Sequence, residues 1–264
     1  MKKLPAIYAG ICLLSFSLST AMAEEPVRVK MAYGQNYTVY STPHIWTTLQ
    51  VKVKNIAYQK SVVLHYKVAD GTWKDYPLPF IAHYNNYDLF GDGNAPETSE
   101  FSIKYATPGQ EHWDNNNGTN YKIGTAVGVV GGNVMLKQAT AHIGSGGGGG
   151  YTYTTSWIEG DIYVQNLSYN KRVGVHYTPD NGKSWFDTEA TYGGKEKASP
   201  VDIDQVEIWR FKTPMLNSDS SSESFQLAVF YEIKEPGPDF GKKYWDNNFG
   251  QNYFLNKADG TKIE

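Results

Sequence analysis

The sequence WDNNNGTNY at residues 113–121 returns almost unchanged as WDNNFGQNY at residues 245–253. Seven of the nine positions are identical, and they comprise Trp, two Asn after an Asp, Gly, a further Asn and Tyr. The two copies lie more than a hundred residues apart, which is too far for the 20–50-residue unit of a solenoid. The repeat therefore indicates two tandem domains.

The repeat extends upstream in the same order. VKNIAYQK at residues 53–60 is echoed by VQNLSYNK at residues 164–171, and VVLHY at residues 62–66 is echoed by VGVHY at residues 173–177. From these correspondences we expect four units in the chain: a leader at residues 1–23, a first module at 24–123, a joint at 124–133 and a second module at 134–264.

A glycine-rich run, GSGGGGG at residues 144–150, lies inside the second copy. Such a composition is typical of a flexible linker between domains. However, VMLK at residues 134–137 corresponds to VRVK at residues 27–30, so the glycines fall opposite residues 35–41. We therefore predict that they form a long loop between the first two strands of the second module, and that the joint precedes them.

The local patterns of the chain are those of β-strands. Short segments alternate in polarity or are rich in β-branched and aromatic residues, and turn clusters with Gly, Pro and Asp separate them. We find no segment with a helical period and caps. The clearest strand segments are residues 48–54, 62–68, 101–105, 161–165, 172–177 and 226–231. We predict an all-β fold of two tandem immunoglobulin-like antiparallel β-sandwich modules.

The N-terminus has the pattern of a secretory signal peptide. Two lysines precede an apolar stretch at residues 7–18 and a small-residue cleavage site, AMA, at residues 21–23. Cleavage after Ala23 would remove Cys12, the one cysteine of the chain, and so exclude a disulfide. We expect a secreted or periplasmic protein with no membrane span in the mature chain.

The composition favours an uncharged partner. Charged residues make up 19% and aromatic residues 14% of the chain, and the formal net charge is −3. Nucleic acid is excluded as a partner, because neutralising phosphates needs a basic surface. Aromatic rings stack on the apolar faces of sugar rings, and amides offer both donors and acceptors to hydroxyl groups. A neutral polysaccharide fits this composition.

The echoed segments and the terminal WDNNxGxNY sequence together resemble family-21 carbohydrate-binding modules, from about residue 27 to 121 and again from 134 to 253. This family occurs in some fungal glucoamylases and in glycogen-targeting subunits of protein phosphatase 1. The resemblance implies β-sandwiches that bind α-glucan such as starch, glycogen or maltodextrin, with no cofactor. A separate amylase could act beside the chain, whereas export would separate it from a cytosolic phosphatase.

The resemblance also implies two sugar-binding sites in each module. The first would comprise Trp73, Trp113, Asn115, Asn116 and Asn120, and in the second module Trp185, Trp245, Asn247, Asn248 and Asn252. The second would comprise Asn55, Tyr58, Lys60 and Tyr87, and in the second module Asn166, Tyr169 and Lys171. Val206 stands in place of Tyr87 in the second module, which puts that site in question, and Tyr192 is the candidate substitute. Asp114 and Asp246, from the residue pattern itself, would accept hydrogen bonds from hydroxyl groups.

Other interpretations stay open. Asn55 and Asn166 could stabilise turns as readily as contact sugar, and Trp46, Trp157 and Trp209 are assigned to packing. An envelope protein that binds another protein is the alternative of a different class. A glycosidase would need two carboxylates flanking a cleft, and the repeat supplies only one in each copy, so we predict no catalytic residues. We also predict no metal ligands.

Overall fold

The computed structural model describes residues 25–39, 41–148, 151–198, 200–217 and 224–264, so the predicted leader lies outside the described residues. The strands of the first half are β1 (Val27–Val39), β2 (Thr42–Lys54), β3 (Ser61–Lys67), β4 (Trp73–Pro77), β5 (Phe80–Tyr84), β6 (Tyr87–Ala95), β7 (Glu100–Thr107), β8 (Gln110–Asp114) and β9 (Tyr121–Lys122). The joint contains β10 (Gly128–Val129) and a short 3-10 helix at Gly131–Asn133. The strands of the second half are β11 (Val134–Gly148), β12 (Tyr151–Gln165), β13 (Lys171–Thr178), β14 (Phe186–Glu189), β15 (Thr191–Ala198), β16 (Val201–Lys212), β17 (Leu216–Asn217), β18 (Ser224–Ile233), β19 (Lys243–Asp246), β20 (Tyr253–Asn256) and β21 (Lys262–Ile263).

The two halves have the same strand order. In the first half one sheet has the order β1-β2-β6-β5 and the facing sheet β4-β3-β7-β8; in the second half the orders are β11-β12-β16-β15 and β14-β13-β18-β19. All these strand pairs are antiparallel, and each half encloses its own cluster of buried apolar side chains. The prediction of an all-β fold built from antiparallel sandwiches is confirmed. Within the described ranges, no helix is long and apolar enough to cross a membrane.

Alternation of polarity explains why these segments form half-buried strands. In β3, Val62, Leu64 and Tyr66 point into the core while the residues between them are more exposed. The strand ends at Lys67, one residue before the end that the sequence predicted. Burying one such side chain stabilises the fold by about 1.5–3 kcal/mol, and β13 repeats the arrangement with Val173, Val175 and Tyr177.

The glycine-rich run is mostly strand, so the predicted loop is wrong for residues 144–148; residues 149 and 150 lie outside the described residues. Gly144 pairs with Thr155 and Gly146 with Tyr153 in the long hairpin of β11 and β12. A Cβ atom on Gly146 would lie 2.5 Å from the Tyr153 ring, so the aromatic side chain crosses the strand where glycine leaves room. Pairing with β12 therefore overrides the low strand propensity of glycine.

The joint is bonded to both halves. Gly34 of β1 donates to the carbonyl of Gly124 at 3.2 Å, and Asp204 of β16 donates to the carbonyl of Ala126 at 2.7 Å. Farther along, β10 pairs with β1. A Cβ atom on Gly128 would lie within 3 Å of the Ile203 and Val206 side chains, so glycine permits this close approach. The joint is thus an ordered segment that is hydrogen-bonded to both halves.

An apolar cluster joins the two halves along the joint. Met31 and Tyr33 of β1 lie in this cluster with Tyr163, Ile203 and Val206 of the second half, and all five side chains are buried. The outer face of the first half's β1–β2 sheet is therefore covered by the second half. The cluster gives the interface a buried apolar centre.

A buried ion pair crosses the same interface. The Lys52 ammonium of β2 lies 2.6 Å from Asp246 Oδ1, with 2% and 1% of the two side chains exposed, and it also donates to the Tyr253 hydroxyl. Asp246 Oδ2 accepts from the Leu136 amide at 2.9 Å and from the Tyr253 hydroxyl at 2.5 Å. Burial alone would raise the pKa of Asp246, but the positive charges of Lys52 and Arg28 outweigh it and hold that pKa below its usual value.

The first half contains the same aspartate without this lysine. Asp114 accepts from the Val29 amide at 2.7 Å and from the Tyr121 hydroxyl at 2.8 Å, as Asp246 does from Leu136 and Tyr253. The strand register places Tyr163 at the position of Lys52 in the other copy. Burial accordingly raises the pKa of Asp114.

We expect Asp246→Asn to destabilise the protein at pH 7 by about 3–5 kcal/mol, because it leaves the Lys52 ammonium buried without its counter-charge. The matched variant Asp114→Asn should cost about 1–2 kcal/mol, since it removes only part of a hydrogen-bond set. Urea unfolding monitored by tryptophan fluorescence measures both values. Equal losses in the two variants would show that the ion pair is not the difference.

Lys30 is a second buried cation at the interface. It lies at a β-bulge in β1 and donates to the carbonyl of Lys137 at 2.9 Å, and Lys137 lies at the corresponding bulge in β11. Burial lowers the pKa of the Lys30 ammonium to about 7. An unfolded lysine has a pKa near 10.4, so between these two pH values the unfolded chain binds more protons than the folded chain.

Stability should therefore rise with pH from 7 to 9, by at most about 2.7 kcal/mol for one proton over two pH units. The Lys30→Met variant should lose the larger part of this rise. Thermal or urea unfolding at half-unit pH steps tests the slope, and a native protein whose stability is flat or falls across this range would contradict it.

Candidate functional site

Two tryptophans and a histidine form the same cluster in each half. The Trp73 ring is stacked on His65 with centroids 4.7 Å apart and planes at 8°, and Trp113 meets the His65 ring edge-on at 5.5 Å. In the second half Trp185 is stacked on His176 with the same 4.7 Å and 8°, and Trp245 lies edge-on at 6.0 Å. The structure thus brings together the predicted tryptophans of the first site in both halves.

A carboxylate fixes each histidine. His65 Nδ1 lies 2.6 Å from Asp75 Oδ1, and His176 Nδ1 lies 2.6 Å from Asp187 Oδ1. The hydrogen bond with His65 lowers the pKa of the Asp75 carboxyl, so Asp75 is a carboxylate at neutral pH and the ring nitrogen is the donor. Neighbouring strands β3 and β4 place this pair in register, as β13 and β14 do in the second half.

The arrangement leaves an indole surface open to solvent. The imidazole covers one face of each stacked indole, yet 38% of Trp73 and 37% of Trp185 are exposed. An exposed indole that is already stacked on a neighbouring ring is suited to bind a flat apolar ligand face, because less conformational entropy of its side chain is lost when the ligand binds. A lysine lies beside the edge-on tryptophan in each half: the Lys104 ammonium is 5.7 Å from the Trp113 ring centroid, and the Lys243 ammonium is 4.2 Å from that of Trp245.

The predicted asparagines build the loop that follows Trp113. Asn115 Oδ1 accepts from the Gly118 amide at 2.9 Å, Asn116 Nδ2 donates to the Asn120 carbonyl at 3.1 Å, and Asn120 Nδ2 donates to Glu100 at 3.0 Å. Asn116 and Asn120 have φ of 51° and 55°, a left-handed conformation that asparagine tolerates better than most residues. The motif therefore serves first to hold this loop.

In the second half the corresponding loop is packed against the first half. Asn247 Oδ1 accepts from Gly250, and Asn248 Nδ2 donates to the Asn252 carbonyl at 2.9 Å and to Asn86 Oδ1 at 2.7 Å. Asn248 and Asp246 are 1% exposed.

The prediction that Asp246 and Asn248 contact sugar is therefore corrected, because the module interface covers them. The predicted sugar contact of Asp114 stays a prediction: its carboxylate accepts from the Val29 amide and the Tyr121 hydroxyl, and the residue is half-buried.

The interface between the halves buries one residue of the predicted second site of the first half and leaves the others outside. The Lys60 ammonium lies 2.5 Å from Asn55 Oδ1 and also contacts Asp88, and the Tyr58 side chain is 99% exposed. Tyr87, in contrast, is 2% exposed and donates to the Glu264 carbonyl at 2.6 Å. The prediction of Tyr87 as a sugar contact is corrected, because its ring packs in the core cluster of the second half.

The corresponding site of the second half is more complete than the sequence indicated. The register confirms that Val206, paired with Gln165, replaces Tyr87, paired with Lys54. Tyr169, which is 95% exposed, Tyr192 and Trp209 line one cavity of about 750 Å³ with Asn166 and Lys171. Lys171 Nζ lies 2.8 Å from Asn166 Oδ1 and 2.9 Å from Glu207 Oε2, so the Lys–Asn–carboxylate set of the first half is repeated. Tyr192 therefore lies in the same cavity as Tyr169 and Lys171, although its register position is not that of Tyr87.

Sequence reasoning missed three kinds of residue here. His65 and His176 had no place in the predicted site, although their repetition in step with the repeated tryptophans was the available signal. Trp209 was assigned to packing, and it meets Tyr192 edge-on at 5.8 Å. Phe80, which occupies the register position of Tyr192 in the first half and is 57% exposed, was not considered.

We expect each histidine to determine the environment of its own tryptophans only. In the ¹H–¹⁵N spectrum, His176→Ala should shift the indole resonances of Trp185 and Trp245, because the ring current of the stacked imidazole is lost. The matched variant His65→Ala should shift those of Trp73 and Trp113 instead. Unshifted Trp185 in the first variant would contradict the stacked geometry.

Comparison with known proteins agrees with part of this description. Residues 150–256 match the sequence model of the carbohydrate/starch-binding module, family 21. The chain is 30% identical over 107 residues to human protein phosphatase 1 regulatory subunit 3B, a match that covers 39% of this chain and 32% of that protein. It is 32% identical over 111 residues to glucoamylase 1 of Rhizopus oryzae, which covers 42% of this chain and 16% of the enzyme.

The glycogen-binding subunit 76A of Drosophila melanogaster is 29% identical over 96 residues, which cover 36% of this chain and 12% of the subunit. The chain thus spans about a third or less of the length of these relatives. The second half of the chain, from residue 150, is similar to a family-21 carbohydrate/starch-binding module.

Proposed function

We propose that this protein binds α-glucan, such as starch, glycogen or maltodextrin, without acting on it chemically. The observation that carries the proposal is the His-supported tryptophan pair of the second half, Trp185 and Trp245, which lies within the residues that match a starch-binding family. The printed names of two relatives, a glucoamylase and a glycogen-binding subunit, point to the same polymer.

The first half is, in this proposal, a second module of the same kind. It has the same strand order, the same tryptophan–histidine cluster with the same 4.7 Å stacking, and the same Lys–Asn–carboxylate set. Trp73 and Trp113 would stack on glucose rings as Trp185 and Trp245 do. Two modules on one chain would then add avidity for a polymer, because binding of one raises the effective concentration of the other.

The second site contributes chiefly from the second half. Tyr169, Tyr192 and Trp209 offer three aromatic surfaces in one cavity, and Asn166 and Lys171 offer polar groups beside them. In the first half Tyr58 and Phe80 are exposed, but Tyr87 is not. We therefore assign the stronger second site to the second half.

The setting of the protein is part of the proposal. The signal-like residues 1–23 support export to the periplasm or the exterior. There a separate amylase could use glucan that this protein holds. The similarity to phosphatase regulatory subunits covers about a third of their length and carries no phosphatase contact to this chain.

Retention on granular starch, beside cellulose and chitin, tests the proposal. The Trp73→Ala/Trp113→Ala and Trp185→Ala/Trp245→Ala variants should each weaken retention about tenfold, which corresponds to ~1.4 kcal/mol. Tyr153→Ala, which removes an exposed ring outside both sites, is the matched control and should bind as the native protein does.

Starch-selective retention that falls in both tryptophan variants supports two working modules. Retention that falls in the Trp185→Ala/Trp245→Ala variant alone would leave one module active. A native protein that is not retained on starch would overturn the proposal and favour an envelope protein with a protein partner. Release of soluble sugar from the starch would show a glycosidase instead.

A further inference from the structure

A cavity of about 490 Å³ opens at the seam where the two halves diverge. Its walls come from β1, β2 and β6 of the first half, from the joint, and from β15 and β16 of the second half. It continues the interface beyond the buried cluster of Met31, Tyr33 and Ile203. The volume lies in the range of about 300–1,000 Å³ that is usual for small-molecule sites.

One wall of the cavity is aromatic and the other aliphatic. Trp46 of β2 pairs directly with Gln35 of β1, so both side chains lie on the sheet face that Tyr33 continues towards the second half. Val201, which is 51% exposed, and Ile203 line the cavity from the second half. A ring of a ligand placed between them would meet an indole on one side and methyl groups on the other.

Amides surround this apolar slot. The side chains of Asn36 and Asn94 are exposed at the cavity, and within the described part of the chain neither has a hydrogen-bond partner. The Gln35 amide donates to the Gly93 carbonyl at 3.2 Å, which leaves its oxygen as an acceptor. The described residues that line the cavity are all uncharged.

The floor of the cavity is rigid. Thr125 and Ala126 of the joint lie there, and hydrogen bonds on both sides fix them: Ala126 donates to Gly34 at 2.8 Å and accepts from Asp204 at 2.7 Å. A preorganised site binds its ligand without a further ordering cost.

Trp157 occupies the position of Trp46 in the second half, where the His142 ring is stacked on it at 5.3 Å and the Lys212 ammonium lies 5.3 Å from its centroid. The seam cavity takes its lining from both halves: the first supplies the indole and the amides, and the second supplies the methyl groups.

We propose that this seam cavity is a separate binding site for a glucose unit of the α-glucan chain, and this inference rests on the proposed function. The indole and Val201 take the apolar faces of the sugar ring, and Asn36, Asn94 and Gln35 bind its hydroxyl groups. The uncharged lining selects a neutral ligand. The site exists only because the two modules are held together.

Methyl-resolved NMR of the full chain tests the site directly, with maltoheptaose as the probe. Titration should shift the methyl signals of Ala126, Ala198 and Val201, and it should do so equally in a Trp73→Ala/Trp185→Ala/Tyr169→Ala background. Adding Val201→Arg should weaken the residual binding of that background at least tenfold, because a charged side chain enters the slot. Val127→Arg, at a valine that is 39% exposed and does not line the cavity, is the matched control and should leave it unchanged.

Three results would overturn the seam site: no methyl shifts with maltoheptaose, equal shifts with cellohexaose, or residual binding that survives Val201→Arg. The methyl shifts of the native protein decide the matter even if a variant fails to fold. Starch retention without seam shifts removes this site and leaves the proposed function. Seam shifts without starch retention remove the proposed polymer and keep the site as one for a soluble oligosaccharide.

Discussion

The Lys52–Asp246 pair constrains the rest of the structure, because a charge from one half is neutralised inside the other. Burying either charge alone would cost several kcal/mol, so the contact between the halves is favourable only with both charges present. Asp246 also holds the Leu136 amide and the Tyr253 hydroxyl, so the terminal loop of the second half depends on a residue of the first. The apolar cluster and the hydrogen-bonded joint also hold the two halves in this relative orientation.

This coupling makes two similar sequences present different surfaces. The copies agree at the tryptophan–histidine clusters, which have the same stacking geometry in both halves. They differ where the halves meet: Tyr87 is buried among second-half side chains, while Val206, at the same register position, belongs to the central apolar cluster. Asn248 is covered by Asn86, while its counterpart Asn116 is exposed. A residue's role therefore follows from which side of its module is covered.

The sequence predicted what local patterning and repetition determine. The strand segments follow from alternation, as β3 and β13 show, whereas the tryptophans of the first site came from the resemblance to a known family. The sequence could not predict the covered faces, because nothing in the run around Tyr87 distinguishes an exposed ring from one that docks on another module. The prediction for residues 144–148 failed for a related reason: their strand pairing with residues 151–155 outweighs the low strand propensity of their composition.

Rigid coupling also changes what two modules can do for a polymer. A flexible linker lets each binding site contact a different segment of the polymer. A rigid connection gives avidity only for ligands whose shape matches the spacing of the sites. An α-glucan chain is itself curved and regular, so proposed sites held at a fixed spacing would recognise the shape of the chain as well as its chemistry. The seam cavity lies where such a chain could contact both modules at once, since its walls come from both. In the proposed function, the interface would hold the two sugar-binding surfaces at a fixed spacing, and the buried Lys52–Asp246 pair is one of the contacts that hold the two halves together.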